Sequence, residues 1–405
     1  MARERRPDVR EQDVKALKYF EKLAPLFERL RGDACARDKA GNRELFYDQY
    51  CLLILLYLFN PIVSSLRSLQ QASELANVQK RLGCGRVSLG SLAEAASVFD
   101  PQRLKEVISE LSGELAPLVR DGRLQDVPQL VAVDGTLLAA LPKMMEAALL
   151  KQETGKGKVK WRLHTQFEVE RGLPTRIDVT RNGGGQNDER AVMAKSLRSD
   201  VTYVTDRGYH KYELFNEIVK AESSYVCRVR DNIAFEVIEE RPISDAARAA
   251  GVIRDVVVRL ALEHPDRGPD HSVRLVFIQT TPHEKASNRK GNTGSGPSDG
   301  VLRLATNMLD VPAEIIGLIY QQRWSIEIFF RFFKNLLGCR HLLSRSQHGI
   351  EIQTYCAIIA CLLMALWTGR KPTLRTYEMV CYYFCGLASE DELVAHLNRL
   401  PSQKT

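Results

Sequence analysis

Through residues 161–169 the chain alternates one for one. Trp161, Leu163, Thr165, Phe167 and Val169 fall on one side, and Arg162, His164, Gln166 and Glu168 on the other. A period of two predicts a half-buried strand with His164 on its polar side. A turn through Arg171-Gly172 leads to a second strand over residues 175–180. Two short apolar runs, residues 130–133 and 201–205, each end on an aspartate with a glycine close behind: Asp134-Gly135-Thr136 and Asp206-Arg207-Gly208-Tyr209. Both read as buried strands, and Gly135 is expected to break the first at Asp134. Helical spacing follows over residues 188–197 and 212–220, so the central region reads as mixed α/β.

The flanks have a different grammar. Residues 12 to about 120 read as helices, with an amphipathic segment at 14–30 and a strongly apolar one at 45–59. Ser64-Ser65 opens the next helix, Ser91-Leu92-Ala93-Glu94 has the spacing of a capping box, and Pro101 stands at a helix start. Arg5, Arg6, Arg10, Arg29, Arg31, Arg67, Lys80, Arg81 and Arg86 suit either a DNA-reading surface or the ordinary charge of a helical docking domain. Residues 225–230, 255–260 and 273–280 are rich in β-branched residues and read as strands. Residues 283–300 are dense in Asn, Gly, Ser and Lys and read as a loop. The most apolar run, residues 356–367, is too short to span a bilayer and reads as a buried helix.

The richest chemistry lies at residues 320–334. Read as one helix, this segment puts Tyr320, Arg323, Glu327 and Lys334 on a single stripe, while Ile326, Phe329, Phe330 and Phe333 are free to pack inward. A phenol, a guanidinium, a carboxylate and an ammonium in one row suit a metal-bound phosphodiester: the carboxylate for a cation, the cations for phosphate oxygens. A solvated face with a Glu–Lys pair is the plainer alternative. Asp134 and Asp206 have a plain alternative too, as caps of a following turn. Strand-end carboxylates are nevertheless a favoured place for ligand chemistry in open α/β sheets.

Composition narrows the field only slightly. The chain has 405 residues and a formal net charge of +7, a lean toward polyanionic partners that would not decide the matter alone. Its nine cysteines form no C-x2-C pair and its eight histidines show no ligand spacing, which argues against a zinc site and for reduced core thiols. The charged start of the chain lacks the apolar region of a secretory signal, giving the expectation of a bacterial cytoplasmic, nucleoid-associated protein without membrane or small-molecule partners.

The chain resembles the DDE transposases of bacterial insertion sequences, specifically the insertion-sequence-four family. That family's signature Y-x2-R-x3-E-x6-K reads here as Tyr320, Arg323, Glu327 and Lys334. Its D-G-[ST] and D-x-G-[YF] elements are matched at Asp134 and Asp206, and Lys160, His164, Gly172, Pro174 and the segment 304–307 resemble its remaining elements. The resemblance covers roughly residues 128–365. It implies an RNase H-like α/β core with a β-rich insertion and an all-helical N-terminal domain. The implied layout is a helical, DNA-end-binding region at 1–122 and core at 123–221. The insertion would be 222–300, the second core part with the catalytic helix 301–345, and the C-terminal helices 346–405. It further implies Asp134, Asp206 and Glu327 as catalytic metal ligands, Mg²⁺ as cofactor with Mn²⁺ substituting, and Tyr320, Arg323 and Lys334 on DNA phosphates. The partners would be double-stranded element ends and target DNA, handled by a homodimer. No tryptophan lies in the insertion, so a base-holding role there is not supported. A metal-dependent nuclease that never joins strands, or a non-catalytic DNA-binding derivative, would be the alternatives. Joining from a pre-cut 3′-hydroxyl end separates the first, and the intact polar row argues against the second.

Overall fold

The fold is seen in a computed structural model that describes residues 44–115, 121–137, 161–181, 183–280, 300–338, 346–369 and 371–399, with residues 26–28, 30–31 and 343–344. Most of the expected helix at 14–30, the first basic residues and the loop after 280 lie outside the described residues. Nine strands make one sheet: β1 (Gln129–Leu137), β2 (Trp161–Glu168), β3 (Leu173–Arg181), β4 (Val201–Thr205), β5 (Ser224–Arg228), β6 (Glu236–Glu240), β7 (Val252–Arg259), β8 (Val273–Gln279) and β9 (Val301–Thr306). Their order is β3-β2-β1-β4-β5-β9-β8-β7-β6, with β1, β4 and β5 parallel and every other pairing antiparallel. The strands of residues 222–300 therefore do not interrupt the core as a separate body. β5 pairs directly with β4, and β6, β7 and β8 extend the same sheet through β9.

The side-chain period of two sorts this sheet into two faces. On one face Leu130, Ala132, Leu163, Phe167, Val204, Val226, Val276 and Leu304 belong to the larger hydrophobic cluster. On the other, Val131, Val133, Tyr203, Tyr225, Val256 and Leu275 belong to a smaller one. The smaller cluster is closed by α6 (Glu189–Ala194), through Met193, and α7 (Tyr212–Lys220), through Leu214, Phe215 and Ile218. The larger is closed by helices from both ends of the chain. From the first half come α1 (Tyr47–Phe59), α2 (Leu66–Ser73), α3 (Ala76–Leu82), α4 (Leu89–Val98) and α5 (Gln102–Glu114); α8 (Asp245–Ala249) adds Ala247. From the second half come α9 (Ala313–Gln321), α10 (Trp324–Gly338), α11 (Gln347–Thr368), α12 (Leu374–Phe384) and α13 (Glu390–Arg399). Tyr377 of α12 donates its hydroxyl proton to the Leu58 carbonyl at 2.6 Å, so the two ends share one interior.

Several expectations change. The strand at 161–168 is buried along nearly its whole length, because α6 covers the face expected to be polar. His164 is 5% exposed, with Nε2 2.8 Å from Thr180 Oγ1. Burial, reinforced by Arg162, drives its imidazole down to about 4, so it is neutral. Gly135 does not end β1, which stays paired with β2 as far as Leu137. The helix expected to begin around Ser91 starts at Leu89, and Ser88 Oγ accepts the Ser91 N–H at 3.0 Å. The apolar run at 356–367 sits inside a 22-residue helix that is long and apolar enough to cross a membrane. Its apolar window is 94% buried inside the fold, packed on α1, α4, α5 and β3, as a core helix would be.

Candidate active site

Register alone brings the two aspartates together. The parallel β1–β4 pairing runs from Gln129 opposite Val201 to Val133 opposite Thr205, so Asp134 and Asp206 are the next residues on neighbouring strands. Paired strands run about 4.8 Å apart. Asp134 follows Leu130 and Ala132 by the period of two and therefore turns toward the helical face that holds α9 and α10. Its Oδ1 accepts the Gly135 N–H at 2.8 Å. Asp206 Oδ1 accepts the Gly208 N–H at 2.8 Å and caps the short turn at Arg207–Tyr209. The plain role of turn cap is thus real for Asp206, and it also fixes the carboxylate beside Asp134.

The third acid arrives on a helix. Residues 320–334 do not form one continuous helix: α9 ends at Gln321 and α10 begins at Trp324. Between them Gln322, Arg323, Ser325 and Ile326 donate to carbonyls three residues back, so the chain tightens for two turns before resuming. The row survives in altered form. Arg323 Nη2 donates to Glu327 Oε1 at 2.6 Å, and the guanidinium lies 5.7 Å from the Tyr320 ring centre. Lys334 falls in α10, but its side chain lies outside the described residues.

Electrostatics tie the pieces together. Burial, followed by the charge of Asp206, pushes the Asp134 carboxyl up to about 6. Glu327 adds to the rise, while the Gly135 N–H and Arg323 oppose it. Asp134 thus feels Asp206, Glu327 and Arg323 together. Tyr209 lies fully buried beneath the aspartates, its phenol pushed up by burial and then by Asp134 and Asp206. Asp206 and Glu327 both oppose ionisation of Asp134, and carboxylate oxygens are the donors that suit Mg²⁺ or Mn²⁺. Among the described residues no three acidic, His or Cys side chains are yet gathered as metal ligands. Glu327 is instead held by Arg323.

One acid at this site carried no signal in the sequence. Glu189, the first residue of α6, forms an ion pair with Arg162 of β2 and lies against Gly135 and Gly208, the glycines behind the two aspartates. No motif marks it; only the packing of α6 across β1 and β2 brings it there. A separate cavity of about 590 Å³, lined by Lys105, Gln129, Glu168, Arg171 and Arg176 among others, opens toward the opposite end of β1. Lys105 and Arg176 pair with Asp178, Arg171 pairs with Glu168, and Lys195 and Arg198 line the same cavity, which holds none of the three acids of the site.

The chain is 28% identical over 225 residues to a Sinorhizobium fredii protein named as transposase y4zB, covering 54% of this chain and 58% of that one. A Geobacillus stearothermophilus protein named as the transposase of insertion sequence element IS5377 is 26% identical over 204 residues, covering 50% and 48%. A Synechocystis protein named as the transposase of element IS4SA is 22% identical over 302 residues, covering 73% and 77%. The matched stretches thus span about half the length of the first two relatives. Among solved structures, the piggyBac transposase synaptic complex with hairpin DNA aligns at a TM-score of 0.43 and 10% identity, over 97% of this chain and 82% of that one. The Transposase DDE domain family matches residues 125–363, which holds both strand-end aspartates and the whole Tyr320–Lys334 row, and the chain belongs to that family.

Proposed function

We propose that this protein is the DNA transposase of a bacterial insertion sequence, of the insertion-sequence-four type, working on an RNase H-like core. The observation that carries the reading is that Asp134 and Asp206 end neighbouring parallel strands, with Asp134 feeling the charges of Asp206, Arg323 and Glu327 together. The hairpin β2–β3 beside the parallel β1, β4 and β5 supports the core assignment. Asp134, Asp206 and Glu327 would hold Mg²⁺, with Mn²⁺ able to replace it. When bound, such cations lower the pKa of the attacking hydroxyl and stabilise the leaving oxygen.

The chain's own residues do the rest. The β1–β4 register holds two carboxylates side by side before any DNA arrives, so little reorganisation is needed. Arg323 neutralises Glu327 in the free protein. Once Glu327 is drawn toward the aspartates, Arg323, with Tyr320 and Lys334, is free to grip phosphates next to the scissile bond and fix its position. Joining two element ends to one target requires two such sites held together, which favours a homodimer on DNA. Purified protein, its own element's end DNA carrying a free 3′-hydroxyl, and Mg²⁺ should yield joined products on a target duplex. Release of cut DNA with no joined product would instead support a hydrolytic nuclease.

A further inference from the structure

Glu189 belongs to none of the roles above, yet it stands where both aspartates are anchored. A Cβ built on Gly135 would lie 2.5 Å from Glu189 Oε1, and one built on Gly208 would lie 3.9 Å from Glu189 Oε2 and 3.0 Å from Asp206 Oδ1. The carboxyl therefore fills the space that a side chain behind Asp134 would need and makes contact with the position behind Asp206. It does not float there. Arg162 of β2 holds it in an ion pair. Asp188, one residue earlier, fixes the start of α6 by accepting the Arg190 N–H at 3.0 Å and the Arg190 guanidinium at 2.7 Å. Its backbone is thus set by a cap, its head by a cation, and its sides by two glycines.

We infer that Glu189 is a positioning residue of the cation site, bracing the Asp134-Gly135 and Asp206-Gly208 segments at the separation the metal requires. The inference rests on the reading of Asp134 and Asp206 as metal ligands. Three features make a brace a better account than a stray surface acid. Both glycines lie against the carboxyl, and a methyl at Gly135 would collide with it. Arg162 comes from the strand next to β1, so the pair ties α6 to the sheet beyond the end of the parallel pairing. Arg162 also offsets the added charge, so Glu189 need not raise the repulsion between the aspartates.

The test uses Mn²⁺ alone, titrated into the full-length protein without DNA, with free Mn²⁺ read by its electron paramagnetic resonance signal. Glu189→Ala should weaken binding about tenfold, the scale on which residues orienting metal ligands act, while thermal unfolding stays close to wild type. Gly135→Ala should weaken it similarly although every carboxylate remains, because the new methyl displaces the Glu189 carboxyl. Glu189→Gln, which keeps the shape and loses the ion pair, should fall between Glu189→Ala and wild type. Asp134→Asn is measured in parallel and should abolish binding. If Asp134→Asn abolishes binding while Glu189→Ala and Gly135→Ala bind Mn²⁺ like wild type, the bracing role is wrong and the metal site stands. If Asp134→Asn binds like wild type, the site reading fails and the inference fails with it.

Discussion

The two halves of this sheet place their acids by different physics. In the first half, β3-β2-β1-β4-β5, the aspartates are set by the strands that carry them: a parallel register ends at Val133 and Thr205, and Asp134 and Asp206 follow. In the second half, β9-β8-β7-β6, no acid of the site lies on a strand. Instead the added strands grip the segment that leads into α9. Arg274 of β8, 2% exposed, pairs with the equally buried Asp255 of β7 and donates to the carbonyls of Met308 at 3.1 Å, Leu309 at 3.2 Å and Val311 at 2.5 Å. Arg241 donates to the Leu309 carbonyl from the same side. Asn307 then ties the segment to β5, accepting the Tyr225 N–H at 3.0 Å and donating to the Ser223 carbonyl at 3.2 Å. One acid pair is placed by neighbouring strands and the third acid by a polar staple far along the chain.

That contrast predicts unequal damage. The largest structural effect should come from Arg274→Ala, which takes the partner from a buried carboxylate and from the Met308 and Val311 carbonyls and should cost about 3–5 kcal/mol by denaturant unfolding. Native-state hydrogen exchange sharpens the test: amides of residues 307–323 should lose protection before those of β1 and β4. Equal loss across both halves would break the comparison.

A smaller effect concerns Asp134 and pH. Its folded carboxyl ionises near 6 against an ordinary value of 3.8. Between those values the folded state binds more protons than the unfolded one. The metal-free protein should therefore lose stability as pH rises from about 4 to about 6 and stay at the lower level above that. Asp134→Asn should remove this slope and stabilise the metal-free protein at pH 7.5 by about 1–3 kcal/mol. Thermal melts of both proteins across pH would check it, and identical slopes would show that Asp134 is not strained by its neighbours. Smallest is Arg323→Ala, which should lower the slope of log DNA affinity against log salt by about one unit. An unchanged slope would confine Arg323 to holding Glu327.

The same division governs what could be read from the chain. Asp134 and Asp206 were legible because strand periodicity and a trailing glycine are local signals, and the polar row was legible because helical spacing nearly survives the tight turns at Gln322–Arg323. The turn itself was not, since nothing in Gln322-Arg323-Trp324 opposes a helix; the i→i−3 bonds there come with the docking of α9 and α10 on the sheet. The burial of His164 depends on α6 lying across β2, and the place of Glu189 on the same packing. Arg274 and Asp255 are 19 residues apart and look like ordinary surface charges until β7 and β8 pair. Ser88 and Ser91 are both good caps, and only the start of α4 at Leu89 decides between them.

The central claim is that acids from the sheet and from α10 hold one divalent cation. Its most direct test is a ligand swap, Asp134→Cys for the sheet and Glu327→Cys for the helix, assayed for cleavage of the element's end DNA in Mg²⁺ and in Mn²⁺. A thiolate is a poor ligand for Mg²⁺ and a better one for a softer ion. Both variants should bind end DNA, fail to cleave it in Mg²⁺ and recover measurable cleavage in Mn²⁺. Cleavage near the wild-type rate in Mg²⁺ by either variant would contradict the account, because that acid would then not be a ligand at all.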